Sequence, residues 1–417
     1  MVIEQHFFPV GQGLFSAGRI LLDGRSPLIW IYDCGSHNHH QGVSNGIKRV
    51  ASAEFQDEGV VAPTVDLLFL SHFDRDHISG VAELLSKVRV RDVVIPLVPL
   101  WQRLAMLFES DEYVSKEVTA FFLDPVRSLW ALADGRIERI ILVEPSSPGD
   151  EGGLDADAGG VPEISPSQRE QSFYENNRVL ASPTTDGPGD EYSSLKDSSS
   201  SRVVRLARGG SILFKYWEFV PYNDAWSKRK TDRTFIAETE RLRRRLLAAD
   251  ARDNRPNDAL RHLKEHYERR FKRAEARNAI SLFLYTGPTG APASSGMSCC
   301  RVLDDIFCDW KRSVLLCGDG YLNRPAKWSD LRNYLTPARV TQVHTLQVMH
   351  HGSRSNWYAG LAAEISPRVA VFCADPTFGH RHPDQCVVGD FEADFCWVVN
   401  INRSEHNFVF WATDDRI

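Results

Sequence analysis

The sequence predicts an α/β fold, and three consecutive stretches carry that prediction. Residues 65–70, apolar except for Asp66, form a run typical of a buried strand, residues 78–88 have helical spacing, and residues 90–98 return to a strand pattern. Strand, helix and strand therefore alternate, which favours an α/β class. With 417 residues, of which 42% are hydrophobic, the chain can bury a large core.

The two ends of the chain are rich in predicted strands. Residues 5–33 consist of short apolar runs broken by glycines, a pattern typical of consecutive strands joined by tight turns. Apolar runs return in the last third, where strands are predicted at 281–285, 313–317, 345–349, 369–372 and 395–400. These runs extend the α/β pattern beyond the central alternation.

Two segments in the middle of the chain break this pattern. From 150 to 200 there are eleven Asp or Glu against three Lys or Arg, and residues 145–200 are rich in Gly, Ser and Pro. Such a segment cannot bury enough apolar surface to order itself, so we expect a flexible acidic loop, with a linker as the alternative. Residues 228–277 reverse the sign, with seventeen Lys or Arg against nine Asp or Glu.

Apolar residues recur at helical spacing within this basic segment, on both sides of Pro256. The two series are Phe235, Thr239, Leu242 and Leu246, and then Leu260, Leu263, Tyr267, Phe271 and Ala274. They predict two amphipathic helices, that is, a basic helical insertion at 228–277. Its cations could bind phosphates, or they could form a solvated or partner-facing surface.

Charge and apolar runs indicate the compartment. The formal net charge is −6, so no global positive field attracts nucleic acid or anionic membranes. The longest apolar runs are far shorter than the ~20 residues that span a bilayer, so no membrane association is expected. Met1 is not followed by a basic and then an apolar block, and we expect a cytoplasmic protein. The eight cysteines lack Cys-x-x-Cys spacing, which favours reduced thiols.

Ligand-type side chains follow three of the predicted strands. They are His72, Asp74, Asp76 and His77 after the first, Asp319 after the second, and His350 and His351 after the third. Functional groups of α/β proteins gather at such strand ends, and His with Asp suits zinc or the harder manganese. Singly, each motif is also typical of a polar turn or a helix cap. Together they predict a metal site.

Two other histidine clusters are weaker candidates. His262-Leu263-Lys264-Glu265-His266 matches the metalloprotease pattern His-x-x-Glu-His, but a solvated helix face is the ordinary interpretation. His37, His39 and His40 could also bind a metal, although they come just after a predicted strand, where a surface loop is expected.

Seven pieces of the sequence, in order, resemble the metallo-β-lactamase-fold hydrolase superfamily, and most of all the C-terminal hydrolase domain of ComEC-type DNA-uptake proteins and its free-standing relatives. The pieces are Val10-Gly11-Gln12-Gly13, Tyr32-Asp33-Cys34-Gly35, Ser71-His72-Phe73-Asp74-Arg75-Asp76-His77, Asn278-Ala279-Ile280-Ser281-Leu282, Leu316-Cys317-Gly318-Asp319, His350-His351-Gly352-Ser353 and Gly379-His380-Arg381-His382-Pro383. The resemblance implies one αββα sandwich over residues 1–417, with the acidic loop and the basic helices inside it.

The resemblance also implies roles for the side chains. One divalent ion would be held by His72 and Asp74, and a second by Asp76, His77 and either His350 or His351, with Asp319 bridging. A metal-bound hydroxide would be the nucleophile, and Asp76 would orient or deprotonate it. Asp33 would brace the ligand loop through hydrogen bonds. Substrate-side groups would be Ser353, His380 and His382.

The sequence departs from the superfamily pattern at three places. Asp74 stands where the superfamily has its second histidine, which makes that site harder and friendlier to manganese. A further first-site histidine has no counterpart, because only His262 and His266 lie between His77 and Asp319. The sequence therefore leaves open whether the site holds one ion or two, and whether the metal is zinc or manganese. Leu14 replaces an acid that is common in ComEC-like domains.

The resemblance implies a metal-dependent hydrolase acting on a phosphodiester, either nucleic acid or a small molecule such as a cyclic nucleotide. Two alternatives remain at this point. The first is a hydrolase of another ester, a lactone or an amide. The second is a metal-binding or partner-binding module whose activity has lapsed because the first-site histidine is missing. The sequence does not predict the oligomeric state.

Overall fold

The computed structural model of the chain describes residues 1–57, 62–107, 116–146, 179–180, 202–206, 209–224, 233–250, 262, 265–266, 281–289, 297–302, 305–379, 381–402 and 408–414. In this part of the chain, strands form two large mixed sheets and helices pack against them. The predicted α/β class is therefore confirmed.

Eighteen strands are found among the described residues. In chain order they are β1 (Val2–Phe7), β2 (Phe15–Leu22), β3 (Arg25–Cys34), β4 (Thr64–Phe69), β5 (Arg89–Pro96), β6 (Ile137–Val143), β7 (Val179–Leu180), β8 (Val203–Leu206), β9 (Ile212–Phe214), β10 (Trp217–Asn223), β11 (Leu282–Pro288), β12 (Ser298–Val302), β13 (Asp305–Asp309), β14 (Ser313–Leu316), β15 (Val343–Gln347), β16 (Val369–Phe372), β17 (Trp397–Asn400) and β18 (Phe408–Thr413). The larger sheet has the order β13-β12-β18-β1-β2-β3-β4-β5-β6-β8-β7, and the smaller has β17-β16-β15-β14-β11-β10-β9.

The described helices fall into two groups along the chain. The first group is α1 (His40–Val50), α2 (Arg75–Ile78), α3 (Val81–Lys87), α4 (Leu100–Leu107), α5 (Lys116–Leu123), α6 (Pro125–Ala133) and α7 (Arg233–Asp250). The second group is α8 (Pro325–Leu335), α9 (Pro337–Val340), α10 (Leu361–Ile365) and α11 (Gln385–Ala393). Short 3₁₀ turns occupy Met349–Gly352 and Arg354–Asn356. None of the described helices has the length and apolar character needed to cross a membrane.

The side chains of β4 explain why its sequence is mostly apolar, with Thr64 and Asp66 as the exceptions. Val65 and Leu68 join a buried cluster with side chains of helices α1 and α3 to α7. Leu67 and Phe69 point the other way and join a cluster that both sheets share. A strand buried on two faces loses the alternation of polar and apolar residues, and this produces the unbroken apolar run that begins at Leu67.

The smaller sheet is also covered on both faces. Its side chains contribute to the cluster shared with the larger sheet, where the ring edge of Trp30 meets Phe219 at a centroid distance of 5.2 Å. On the other face, Leu315 and Leu346 pack with Trp328 of α8 and with residues of α10 and α11. Each sheet is therefore in contact with the other sheet and with helices.

The cysteines differ from expectation at one place. Cys299 and Cys308 stand opposite each other in the antiparallel pair β12–β13, with Cα atoms 4.1 Å apart, and form a disulfide. Spacing alone could not reveal this, because the pairing depends on the strand register. The other six cysteines are not disulfide-bonded, and five of them are buried.

Most of the two central segments lies outside the described residues. In the acidic segment 145–200, the short strand β7 pairs antiparallel with β8, whereas nearly all of the predicted flexible loop is not covered. In the basic segment 228–277, α7 corresponds to the first predicted helix, and its Thr239 and Leu242 are buried as the spacing predicts. The second predicted helix falls almost entirely outside the described part.

Candidate metal centre

Ligand-type side chains from both sheets meet at the carboxyl ends of their strands. The short helix α2, which follows β4, supplies Asp76 and His77, the turn after β14 supplies Asp319, and the 3₁₀ turn after β15 supplies His351. One ligand atom of each lies within 4.8 Å of one ligand atom of every other, so these four residues could hold a metal ion. This set is part of the predicted site, and its members come from positions as far apart as 76 and 351.

Distances within the four-residue cluster are short. The Nε2 atom of His77 is 3.1 Å from Oδ1 of Asp319 and 3.8 Å from Oδ2 of Asp76. The Nε2 atom of His351 is 2.9 Å from the same Oδ2 of Asp76. Asp76, His77 and His351 are buried, so the cluster lies inside the protein.

The second oxygen of Asp319 faces the remaining predicted ligands. Its Oδ2 atom is 3.6 Å from Nε2 of His72 and 3.8 Å from Nε2 of His350. The same His72 nitrogen is 3.5 Å from Oδ2 of Asp74, whose side chain is 43% exposed. Asp319 thus lies between two groups of ligand-type side chains. The outer group consists of His72, Asp74 and His350, and Asp74 lies on its solvent side.

His350 and His351 are neighbours in sequence but have different partners. Both have positive φ angles, 48° and 57°, and their ring planes differ by 65°. The Nδ1 atom of His351 is 2.6 Å from the carbonyl oxygen of Cys373, and that of His350 is 2.9 Å from Oδ1 of Asn356. His351 therefore belongs to the four-residue cluster, while His350 lies by the other oxygen of Asp319.

Asp33, the last residue but one of β3, is fully buried beside the ligand loop. Its carboxylate accepts hydrogen bonds from the backbone N–H and the hydroxyl of Ser71, at 2.7 and 2.6 Å. The same carboxylate is 2.7 Å from Nδ1 of His77, and the Ser71 hydroxyl is 2.9 Å from Nδ1 of His72. These contacts occupy the Nδ1 sides of both rings and leave the Nε2 sides for the cluster.

Two side-chain amides fix the elements from the smaller sheet. Oε1 of Gln347 accepts hydrogen bonds from the backbone N–H groups of Cys317 and Gly318, both at 2.8 Å. The amide nitrogen of Asn356 donates to the carbonyl oxygen of Asp319 at 3.0 Å. Asp319 is therefore held by a contact from the second 3₁₀ turn, and the two residues before it are held by β15.

The electrostatics of the cluster couple imidazoles to carboxylates. Burial alone lowers the pKa of His77, but three surrounding carboxylates outweigh it and raise that pKa well above its usual value. Burial raises the pKa of Asp319, yet the adjacent imidazoles, His77 first, lower it well below its usual range. Burial lowers the pKa of His351, but its hydrogen bond to Asp76 and the charges of Asp319 and Asp76 together outweigh burial and raise that pKa. The cluster is thus arranged as pairs of opposite charge.

Atoms that lack a hydrogen bond show that the cluster fits a cation. Among the described residues, Nε2 of His72, Nε2 of His77 and Oδ1 of Asp319 are buried without a hydrogen-bond partner. Buried polar atoms normally find partners, because leaving one unsatisfied costs roughly 1–3 kcal/mol. Lone pairs of imidazole nitrogen and carboxylate oxygen converging on one place are the donor set that zinc and manganese take.

The predicted substrate-side groups are placed unequally. Ser353 is buried, and its hydroxyl oxygen accepts a hydrogen bond from the backbone N–H of Ser355, which closes a 3₁₀ turn. The ring of His382 lies 6.0 Å from that of His350, and its Nδ1 is 3.6 Å from Oδ2 of Asp384. His380 lies outside the described residues.

Two residues near the cluster carry no signal that sequence reasoning could use, and a third, His37, belongs to the histidine group for which the sequence predicts a surface loop. Ser71 and Asn356 have ordinary polar side chains, and only the fold brings them to the ligands. His37 is 3.5 Å from Asp76, whereas its neighbour His39 packs beside Gly42 and His40 lies 3.3 Å from Arg75. The sequence of these three neighbouring histidines does not reveal which one reaches the site.

Comparison with known proteins assigns no family: the chain matches no protein-family model, and no curated protein matches it either.

Proposed function

We propose that the chain is a metal-dependent hydrolase of the metallo-β-lactamase superfamily, related to the ComEC-type hydrolase domain, and that it cleaves phosphodiesters as a nuclease or phosphodiesterase. One observation carries the proposal. Histidines and carboxylates from three strand ends in two sheets meet in one buried cluster, and Asp319 presents one oxygen to each half of it. The order of the seven matching sequence pieces supports the superfamily.

The layer arrangement supports an αββα sandwich. Both sheets contribute to one apolar cluster, and each sheet also packs against helices. In such a sandwich the strand ends of the two sheets lie close together, and ligands from each can meet there. The proposed single domain spans residues 1–417, with 145–200 and 228–277 inside it.

The ligand sets follow from the side-chain partners. Asp76, His77 and His351 would hold one divalent ion, and His72, Asp74 and His350 would hold another, with Asp319 shared between them. His350 would thereby serve in place of the first-site histidine that the sequence lacks. Imidazoles mixed with carboxylates suit zinc or manganese, and the exposed Asp74 favours the harder ion in the outer set.

Bound ions of this kind lower the pKa of water towards ~7 and stabilise an anionic oxygen that forms during hydrolysis. The chain's own groups supply the rest. Asp76 is the catalytic residue that orients the attacking water and accepts its proton. Asp33 and Ser71 hold the Nδ1 sides of His77 and His72, so that both Nε2 atoms stay directed at the cluster.

Exposed arginines support an anionic substrate. Arg75 lies between two ligand-type carboxylates in sequence, Arg354 follows the paired histidines, and Arg381 precedes His382. All three are exposed in a chain whose formal net charge is −6. Arginine fits phosphate by paired hydrogen bonds, and a phosphodiester is thus preferred over a neutral ester, lactone or amide.

The test is cleavage by metal-stripped protein to which manganese or zinc is added. Substrates are labelled single-stranded DNA, duplex DNA and a small phosphodiester, and Asp76→Asn is compared with Asp23→Asn, an exposed carboxylate between β2 and β3. We expect cleavage that requires the ion and Asp76 but not Asp23. Stoichiometric metal binding without phosphodiester cleavage would direct the search to other esters, lactones and amides.

A further inference from the structure

His37 lies at the edge of the cluster, on the loop that follows β3. Its Nε2 atom is 3.5 Å from Oδ1 of Asp76, whereas His351 contacts the other oxygen, Oδ2, at 2.9 Å. The side chain of His37 is 24% exposed and that of Asp76 only 7%. The Asp76 carboxylate is therefore flanked by one imidazole from inside the protein and another from the solvent side.

The backbone at His37 is held in place by the neighbouring loop. The His37 N–H donates to the carbonyl oxygen of Gln12 at 2.7 Å. The hydroxyl of Ser36 donates to the carbonyl oxygen of Val10 and accepts from the N–H groups of Asn38 and His39. A residue whose backbone is fixed on both sides presents its ring in one place.

The ring itself is covered by Phe378, which stacks nearly parallel to it at 5.5 Å and 17°. Two hydrogen bonds hold the loop that carries Phe378 to its neighbours, and a third joins those two neighbouring loops to each other. The Asn38 amide donates to Asp375 at 2.9 Å, the Asp375 N–H to the Gln12 side chain at 3.1 Å, and the Gln12 N–H to the Asn38 side chain at 3.0 Å. Three loops are thereby joined beneath His37.

We propose that His37 is a positioning residue for Asp76, and this inference rests on the proposed function. Its imidazole restrains Oδ1 and so keeps Oδ2 turned towards the cluster. A separation of 3.5 Å exceeds an ordinary hydrogen bond, and contacts of this kind are often long before a site is loaded. Partners of metal ligands are known to matter, since removing one typically weakens metal affinity or activity 10–100-fold.

The test measures ion binding rather than hydrolysis. His37→Phe keeps a ring against Phe378 and removes only the nitrogens, while His37→Gln keeps a donor on a side chain of similar reach. His39→Ala alters the same loop away from Asp76. We expect calorimetric titration of the metal-free full chain with Mn²⁺ or Zn²⁺ to show an affinity about tenfold weaker or more for His37→Phe. His37→Gln and His39→Ala should stay close to the unaltered protein.

The outcomes separate this inference from the function on which it rests. Equal affinity in His37→Phe and the unaltered protein overturns the positioning role and leaves the proposed function standing. An unaltered protein that binds neither ion overturns both. If thermal unfolding shows that His37→Phe does not fold, the comparison passes to His37→Gln and His37→Ala, and equal affinity in those two overturns the positioning role. The visible absorption bands of bound Co²⁺ give a second readout, which only a changed coordination environment should shift.

Discussion

His77 is in contact with carboxylates through both of its ring nitrogens. Asp33 lies 2.7 Å from Nδ1, and Asp319 and Asp76 lie on the Nε2 side. These carboxylates raise the pKa of His77 well above its usual value. Without a bound ion, the imidazole therefore carries its second proton, and with it a positive charge, at neutral pH. The pKa of His72 is also raised, since Asp74 and Asp319 outweigh burial and the charge of His77.

This arrangement predicts that metal binding releases protons. A metal ion binds the neutral imidazole. It must therefore displace the second proton that each ring keeps because its pKa is raised. Affinity should therefore rise with pH from 6 through neutrality and level off above the raised pKa values. Titration calorimetry at pH 7 in two buffers of different ionisation enthalpy measures the release, and we expect at least one proton per ion. Identical heats in both buffers would contradict this expectation.

Individual site residues differ in how far the sequence reveals them. His72, Asp76, His77 and Asp319 follow apolar strands directly, so the strand pattern marks them. His350 and His351 follow a strand in the same way, but only their left-handed backbone directs them to different partners. The group of His37, His39 and His40 is visible in the sequence, but nothing local distinguishes His37 from the other two, because its contact with Asp76 depends on how distant loops pack.

Helix α7 belongs to the most basic segment of the sequence, yet one of its arginines is buried in an ion pair inside the protein. Arg243 is buried, and its guanidinium donates to Oδ2 of Asp124 at 2.9 Å. Arg241 pairs with Glu238 on the same helix. Asp124 also caps the N-terminus of α6 by accepting from the N–H of Arg127. The number of arginines on α7 that could bind phosphates is therefore smaller than the net positive charge of the segment suggests.

The buried pair predicts a large effect on folding. Removing Arg243 leaves Asp124 buried without this counter-charge, and breaking a buried ion pair costs about 3–5 kcal/mol. Arg243→Ala should therefore lower the free energy of unfolding by about that amount in urea titration. Arg245→Ala, an exposed residue half a turn further on, should change it by less than about 0.5 kcal/mol. Equal effects of the two substitutions would show that the ion pair does not fasten α7.

Elements buried on both faces were the most predictable from sequence. The run 65–70 corresponds to β4 within one residue, and 369–372 corresponds to β16 at both ends. The hairpin β12–β13 lies outside the predicted set. Its residues include Arg, Asp and Cys, and β12 pairs with β18, more than 100 positions away. Such a strand is defined by its partner more than by its own composition.

The two sheets contribute separate sets of residues to the candidate metal centre. The larger sheet leads into His72, Asp76 and His77, and the smaller leads into Asp319 and the paired histidines. An ion bound to both sets would join the sheets by coordination in addition to their shared apolar cluster. Stability should therefore depend on the ion as well as on packing.

Ion-dependent stability can be measured directly. At a free Mn²⁺ or Zn²⁺ concentration about 100 times the Kd, binding to the folded state alone should add about 2.7 kcal/mol. Thermal unfolding should shift upward with the ion and return with a chelator. Asp319→Ala should abolish the shift, and Asp23→Asn should keep it. An undiminished shift in Asp319→Ala would place the stabilising ion elsewhere.

Strand β1 pairs on one side with β2, its neighbour along the chain, and on the other with β18. A ribosome adds roughly 5–20 residues per second, so β18 emerges roughly 20–80 s after β1. Throughout that interval the growing polypeptide exposes the amide and carbonyl groups of one side of β1. Unpaired strands of this kind recruit other strands, so folding during translation competes with association between nascent chains. A chaperone that shields β1 until β18 has been made would raise the yield of folded protein.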